Sequence, residues 1–231
     1  MYGLQANDIC KSYRVKNKDI AVNKHIYLNV EPGKLVWIYG NSGAGKSTFL
    51  NIITGIDDAD SGNINWGGNI LTDMNANTRA EFRLNSCGLI FQFFELIKSQ
   101  TIYDNAALPL KIQKKSKKEI RNILFPLFEL FDLQALTAKK PNELSGGERQ
   151  RVSIVRALAV SPLYLIADEI TSSLDIKRSH QVYQYLRAYI QKKQGIGIFV
   201  SHDPIIGSYA DKVYKMEEGF LTEKVNDDVF D

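Results

Sequence analysis

Nowhere in these 231 residues does an apolar run approach the ~18 positions that a membrane-crossing helix needs. The N-terminus lacks a charged stretch followed by an apolar one, so no export signal is read there and a cytoplasmic location is expected. Cysteine is scarce. Cys10 and Cys87 make neither a disulfide framework nor a metal-ligand spacing, and both are expected to be buried, reduced thiols. Net charge is also small, +3, which by itself does not point to nucleic acid. There is no internal repeat and no low-complexity segment. What remains is an ordinary globular composition, 44% hydrophobic and 24% charged, long enough for one large domain or a domain with a subdomain.

Against that background one stretch stands out, Gly40-Asn41-Ser42-Gly43-Ala44-Gly45-Lys46-Ser47, with Thr48 behind it. It fits G-x-x-x-x-G-K-S/T, the phosphate-binding loop. Glycines let the backbone turn tightly and aim several N–H groups at one anion. Lys46 is expected on the β- and γ-phosphates and the Ser47 hydroxyl on Mg²⁺. Lys34 to Tyr39 reads as a buried strand entering the loop, and Ser47 to Ile53 as the helix leaving it, stopped by Gly55. A helix N-terminus adds its own preference for negative charge.

The rest of the chain reads as an α/β domain with two additions. Residues 2 to 30 alternate around Ile9, Tyr13, Val15, Ile20, Val22, Ile26, Leu28 and Val30, suggesting short antiparallel strands with turns at 16–19 and 23–24. Taken alone, Tyr13 is an ordinary strand aromatic, although its ring could stack on a base. Asn63 to Leu71 looks like a hairpin and Ser86 to Phe91 like a buried strand ending at Gln92. Residues 93 to 144 read as a helical insertion, with a capping box at Ser116 and Glu119 and a kink or break expected at Pro126. The lysine-rich run from Lys111 to Arg121 reads as a solvated face. Ser145 and Glu148 make a second capping box, so a second glycine-bearing helix N-terminus is offered to phosphate. Leu163 to Ala167 is a strand ending in Asp168-Glu169. A helix from Ser179 to Lys193 closes at Gly195, and a strand from Ile196 to Val200 runs into Ser201-His202. Lys212 to Thr222 forms a last hairpin. The acidic tail from Asn226 to Asp231 is expected to fray.

Four strands thus end in polar residues, at Gly40, Gln92, Asp168 and His202, and ligands bind at that edge of a parallel sheet. Phosphoryl transfer to water needs a carboxylate for Mg²⁺, for which Asp168 is placed, with Ser47 and Gln92 completing the metal-facing set. It needs a group to orient or deprotonate water, for which Glu169 is the neighbour. Charge growing on the γ-phosphate needs donors, which His202, Lys46 and Gln92 could supply.

These segments, with Leu144-Ser145-Gly146-Gly147-Glu148 and Ser172-Ser173-Leu174-Asp175, resemble the six motifs of an ATP-binding-cassette ATPase. The resemblance covers essentially the whole chain, 1–231 as a single nucleotide-binding domain with a helical subdomain at roughly 93–160. It implies a RecA-like P-loop core with an antiparallel β-subdomain. It also implies that Tyr13 stacks on adenine, that Glu169 is the general base, that His202 is the switch histidine, and that Ser145 and Gly147 meet a γ-phosphate. The active unit it implies is a head-to-tail dimer with each ATP held between Lys46 of one copy and Ser145 of the other. Gly88 to Ile97, Thr101 to Asn105 and Leu108 to Leu110 resemble the lipoprotein-release and macrolide-exporter branch, whose ATPases work with permeases and would sit at the inner face of the membrane. Ile170 departs from the family, which usually has proline there. A groove around Phe93, Phe94, Leu96 and Ile97 is the expected permease contact. An ATPase of a membrane regulatory complex is the alternative output. A nucleic-acid-linked member fits less well, because the span from Lys46 to Ser145 leaves no room for a long coiled coil and only one cassette is present.

Overall fold

In the computed structural model, which describes residues 3–224, apolar runs become strands buried on both faces. The first two strands, β1 (Leu4–Val15) and β2 (Lys18–Val30), form one long antiparallel hairpin rather than several short strands. The turn falls at Lys16 and Asn17, both with left-handed φ. The second expected turn, at 23–24, is instead a register shift within β2, between Ile9 and Lys11 on its partner. A bulge absorbs the extra residue without ending the strand. With β4 (Ser61–Trp66) and the short β5 (Asn69–Ile70), these strands make a four-stranded sheet in the order β2-β1-β4-β5. Leu71 is not in the hairpin but opens a 3₁₀ turn.

The larger sheet is built around β3 (Lys34–Tyr39). Its order is β10-β9-β3-β8-β7-β6, from β6 (Cys87–Ile90), β7 (Tyr164–Asp168), β8 (Ile196–Val200), β9 (Lys212–Glu217) and β10 (Phe220–Lys224). All its pairs are parallel except β9 with β10. Alternation along β3 explains its position. Val36 and Ile38 join the core shared with α1 (Lys46–Ile53) and the antiparallel sheet, while Leu35 and Trp37 join the core under the other helices. A strand buried on both faces must be apolar along its buried length, as this one is from Leu35 to Ile38.

Helices α3 (Ile102–Ile112), α4 (Lys117–Leu130), α5 (Gly146–Ala159) and α6 (Ile176–Lys193) cover that second face. Both capping boxes form, at Ser116/Glu119 and Ser145/Glu148. Pro126 does not break α4, which runs from Lys117 to Leu130. The carbonyl it leaves without a partner belongs to Asn122, on the solvent side, where water serves. Helix α2 (Ala76–Ser86) has no counterpart in the apolar pattern, because it buries only Phe82. Its one signal is the Asn75 cap, which accepts the Thr78 N–H. At the end of α6 it is Gln194, φ 50°, that turns left-handed, not Gly195. Gly195 is required for a different reason, since a Cβ there would sit 2.3 Å from the Leu163 carbonyl oxygen. The expected acidic tail lies outside the described residues.

Candidate functional site

The phosphate loop hangs between β3 and α1 with three left-handed glycines, Gly40, Gly43 and Gly45. At Gly40 a Cβ would come within 2.0 Å of the Met216 carbonyl oxygen, so glycine is demanded by both conformation and space. Asn41, Ser42 and Gly43 form the exposed crest, while Ala44, Gly45 and Lys46 are buried. The Lys46 ammonium donates to the carbonyls of Gly40 (2.6 Å) and Asn41 (2.9 Å), folding the loop around itself. Burial lowers its pKa, against the pull of Glu169 and Asp168. An anion laid in the loop would relieve that desolvation.

Strand β7 delivers the acidic pair. Ser47 donates its hydroxyl proton to Asp168 Oδ2 at 2.6 Å, so the two oxygens converge from the loop and from the adjacent edge of the sheet. Hard oxygen donors of this kind suit Mg²⁺. Glu169, with φ 52°, turns its carboxylate the other way. Its Oε1 accepts the His202 backbone N–H at 3.1 Å and lies 3.7 Å from His202 Nε2. Burial raises the Glu169 pKa and Asp168 adds to it, while His202 and Lys46 oppose the rise. A carboxylate made more basic in this way is suited to taking a proton from water.

Two residues whose roles were not read from the sequence hold this edge in place. Thr171 donates to Asp203 Oδ2 (2.9 Å) and its hydroxyl meets Tyr183 Oη (3.0 Å). The loop after β7 is thereby tied to the loop after β8. Threonine and aspartate at such positions are too common in loops to be singled out from sequence. Ile170, between Glu169 and Thr171, is fully buried in the helix-side core and so fills space rather than facing phosphate.

Tyr13 is 38% exposed, with its hydroxyl donated to Asp57 Oδ2 and the Lys11 ammonium 5.1 Å from its ring centre. A hydrogen bond also links it to Thr48, so its ring stands beside the start of α1. Gln92 is exposed just beyond β6, and its side chain makes no hydrogen bond among the described residues. The turn behind it is held by Arg156, which donates to the carbonyls of Phe94 (2.8 Å) and Glu95. Phe94 and Glu95 are both left-handed, a costly pair that this half-buried arginine stabilises.

Ser145 and Gly147 are not brought to Lys46. Ser145 caps α5, and a Cβ on Gly147 would meet the Ser173 carbonyl oxygen at 3.0 Å and Leu174 at 3.3 Å. The cluster within one chain is therefore Lys46, Ser47, Asp168, Glu169 and His202, with Tyr13 flanking it.

A phosphate loop on the central strand of a parallel sheet, facing a carboxylate pair, defines a P-loop ATPase. The chain belongs to the ABC transporter family, whose model matches residues 23–172. It is 37% identical over 215 residues to the lipoprotein-releasing system ATP-binding protein LolD of Treponema denticola, covering 93% of this chain and 95% of that protein. It is 38% identical to the ABC transporter ATP-binding protein MJ1508 of Methanocaldococcus jannaschii, covering 96% and 99%. Against the methionine import ATP-binding protein MetN of Coxiella burnetii the identity is 34%, and the chain spans only 63% of that longer protein. Among solved structures, the dimeric ATP-binding cassette MJ0796 in a post-hydrolysis state with ADP and Pi superposes with a TM-score of 0.92 at 30% identity, covering 96% of this chain and 97% of that one. The expected fold and the expected ABC-type ATPase subunit of a transporter are thus both borne out.

Proposed function

We propose that residues 1–231 form one nucleotide-binding domain, with the helical subdomain at about 93–160, acting as a head-to-tail dimer with two ATP molecules at its interface. Each nucleotide lies between Lys46 of one copy and Ser145 and Gly147 of the other, with Tyr13 against adenine. The observation that carries this is the separation of the two phosphate-seeking helix N-termini. Gly146 and Gly147 lean on their own Ser173 and Leu174, which supports a second half of the site contributed by another chain. The dimeric assembly of MJ0796 supports the same reading.

Asn41 to Thr48 wrap the phosphates, and Ser47, Asp168 and Gln92 would hold Mg²⁺, which neutralises charge on the β- and γ-oxygens when bound. Glu169 takes a proton from the attacking water as the oxygen bonds to the γ-phosphorus and the bond to the bridging oxygen breaks. Lys46 and His202 donate to the γ-phosphate as charge builds on it.

The partner is a permease, which holds the protein at the cytoplasmic face of the membrane. LolD similarity favours an exporter-like or lipoprotein-handling system. A cavity of about 290 Å³ lined by Arg83, Leu89, Phe91, Leu108, Pro109 and Ile112 supports a docking groove beside the Gln92 segment. Of the expected contact residues Phe93 and Ile97 are exposed and Phe94 and Leu96 partly buried, and this cavity extends the groove to Phe91 and α3. Cysteines introduced at Glu95 and Lys98 should crosslink to the co-purified permease. Crosslinks confined to the opposite face would rule the groove out.

The dimer is tested with Glu169→Gln, which should run as a dimer with Mg-ATP and as a monomer without it. Mixing Lys46→Ala with Ser145→Arg protein should restore one complete site per mixed pair. A chain that stays monomeric with ATP yet hydrolyses at a constant rate per molecule would overturn the proposal.

A further inference from the structure

Outside the site of the carboxylate pair, the β1–β2 hairpin gathers three side chains of a kind that the ATPase reading does not use. Ile9 pairs with Ile26 and both are fully buried, so the residues next to them emerge on the solvent face. Register shifts flank this pair on both sides, and Asp8 (φ 56°) and His25 (φ 49°) take left-handed conformations there. As a result Asp8, Cys10 and His25 converge, with one donor atom of each lying within 4.8 Å of the others. His25 Nδ1 is 2.7 Å from Asp8 Oδ1 and 3.7 Å from Cys10 Sγ.

We infer that Asp8, Cys10 and His25 form a binding site for a borderline-soft divalent cation of the Zn²⁺ class. The donor set decides the class. Sulfur, imidazole nitrogen and carboxylate oxygen together favour zinc-like ions over Mg²⁺ or Ca²⁺, which prefer all-oxygen shells. The spacing suits it too. Bond lengths of about 2.3 Å to sulfur and 2.0–2.1 Å to nitrogen give a tetrahedral S···N edge of about 3.6 Å, near the observed separation. The His–Asp edge has to open by roughly 0.6 Å as the shared proton leaves and the ion takes its place.

Supporting contacts are already made. The His25 backbone N–H donates to Cys10 Sγ at 3.3 Å, which fixes the sulfur beside the imidazole. The Tyr27 hydroxyl hydrogen-bonds Asp8 as well. Such second contacts orient ligands in metal sites. The ion has a way in, because the His25 and Asp8 side chains are 69% and 48% exposed, and the fourth position is left to water. Lys11 and Lys24, the cations adjacent in sequence, are directed elsewhere, to Asp57 and Asp60 and over the Phe220 ring. The bland reading, a solvated Asp–His hydrogen bond beside an unrelated thiol, does not account for three donors from two bulged strands meeting at one point.

The two cysteines supply a direct test. Cys87 is buried and its thiol is pushed up to about 12, so a disulfide reagent at neutral pH reads Cys10 alone. One equivalent of ZnCl₂ on the nucleotide-free protein should slow modification of Cys10 by about tenfold or more, and Co²⁺ should give a sulfur-to-metal charge-transfer band in the near ultraviolet. His25→Ala and Asp8→Asn should each weaken Zn²⁺ protection by about tenfold or more. Both variants should keep the parent's Mg-ATP affinity, which shows that they are folded. Absence of protection in the parent, or protection unchanged in His25→Ala, would overturn the site, and neither result bears on the ATPase proposal.

Discussion

The phosphate loop and the signature segment are both glycine-bearing helix N-termini, yet their glycines answer different demands. In the loop, Gly40, Gly43 and Gly45 have positive φ, and the backbone path itself needs them. In the signature, Gly146 and Gly147 begin a regular helix, and what needs them is the nearness of Ser173, whose atoms a Cβ would meet at 3.3 Å and 3.0 Å. The loop is also finished within its own chain, folded on Lys46. The signature caps itself through Ser145 and Glu148 and leaves its N-terminal end on the surface. One region is closed within its own chain, and the other is proposed to be half of a site.

The comparison breaks first at the chemistry that the two regions are proposed to share. Glu169→Gln should bind ATP and lose about 10²–10⁴ in hydrolysis rate, the usual cost of removing a group that activates water. Turnover within about threefold of the parent would remove Glu169 from that role.

A pair of alanines sharpens the contrast. Gly40→Ala should lose about 3 kcal/mol or more of folding stability in urea, from a forbidden φ and a backbone clash. Gly147→Ala should lose about 1 kcal/mol or less, since its neighbours need to move only a few tenths of an ångström, while ATP-driven dimerisation suffers. Equal losses of stability would mean that the two glycines serve one purpose.

Thr171→Val should cost about 1–3 kcal/mol, because it strips a partner from Asp203 and from the buried Tyr183 hydroxyl. Hydrolysis should fall more than ATP binding, since the bond joins the two loops that carry Glu169 and His202.

The smallest effect expected is in pH dependence. The Glu169 carboxyl titrates above the ordinary glutamate range, so the acid limb of the hydrolysis rate should lie above that range as well, with activity lost as pH falls through the raised pKa. The same shift acts on folding with the opposite sense. A raised carboxyl pKa contributes stability at low pH and loses it as pH rises through the folded value. Glu169→Gln should therefore gain stability relative to the parent over that window, as chemical denaturation across pH would report. A stability difference independent of pH would mean that the carboxyl is not desolvated.

How much could be read without coordinates depended on how local the physics was. The strand–loop–helix around Gly40 to Ser47, the caps at Ser116 and Ser145, and the strands ending at Asp168 and Val200 are set by near neighbours, and all appear where the pattern put them. Helix α2 escaped because it buries only Phe82 and so carries no apolar stripe. The Asn23 bulge read as a turn because a polar interruption looks the same in either case, and only the partner strand distinguishes them. Cys10 was expected in the core but stands partly exposed beside His25, since its face is fixed by the register of β1 on β2.

By itself the sequence determined the class of protein, through glycine, lysine, serine and carboxylate types whose order along the chain matches the order of strand ends at one sheet edge. Only the tertiary structure decided which of those residues meet. Asp168 reaches Ser47, and Glu169 turns instead to the His202 backbone, because β7 lies beside β8 and β8 beside β3, a strand order that long-range burial sets. The same packing lays the signature glycines on Ser173 rather than on the phosphate loop. No spacing along the chain encodes that choice, since it follows from how α5 and the loop after β7 share one core.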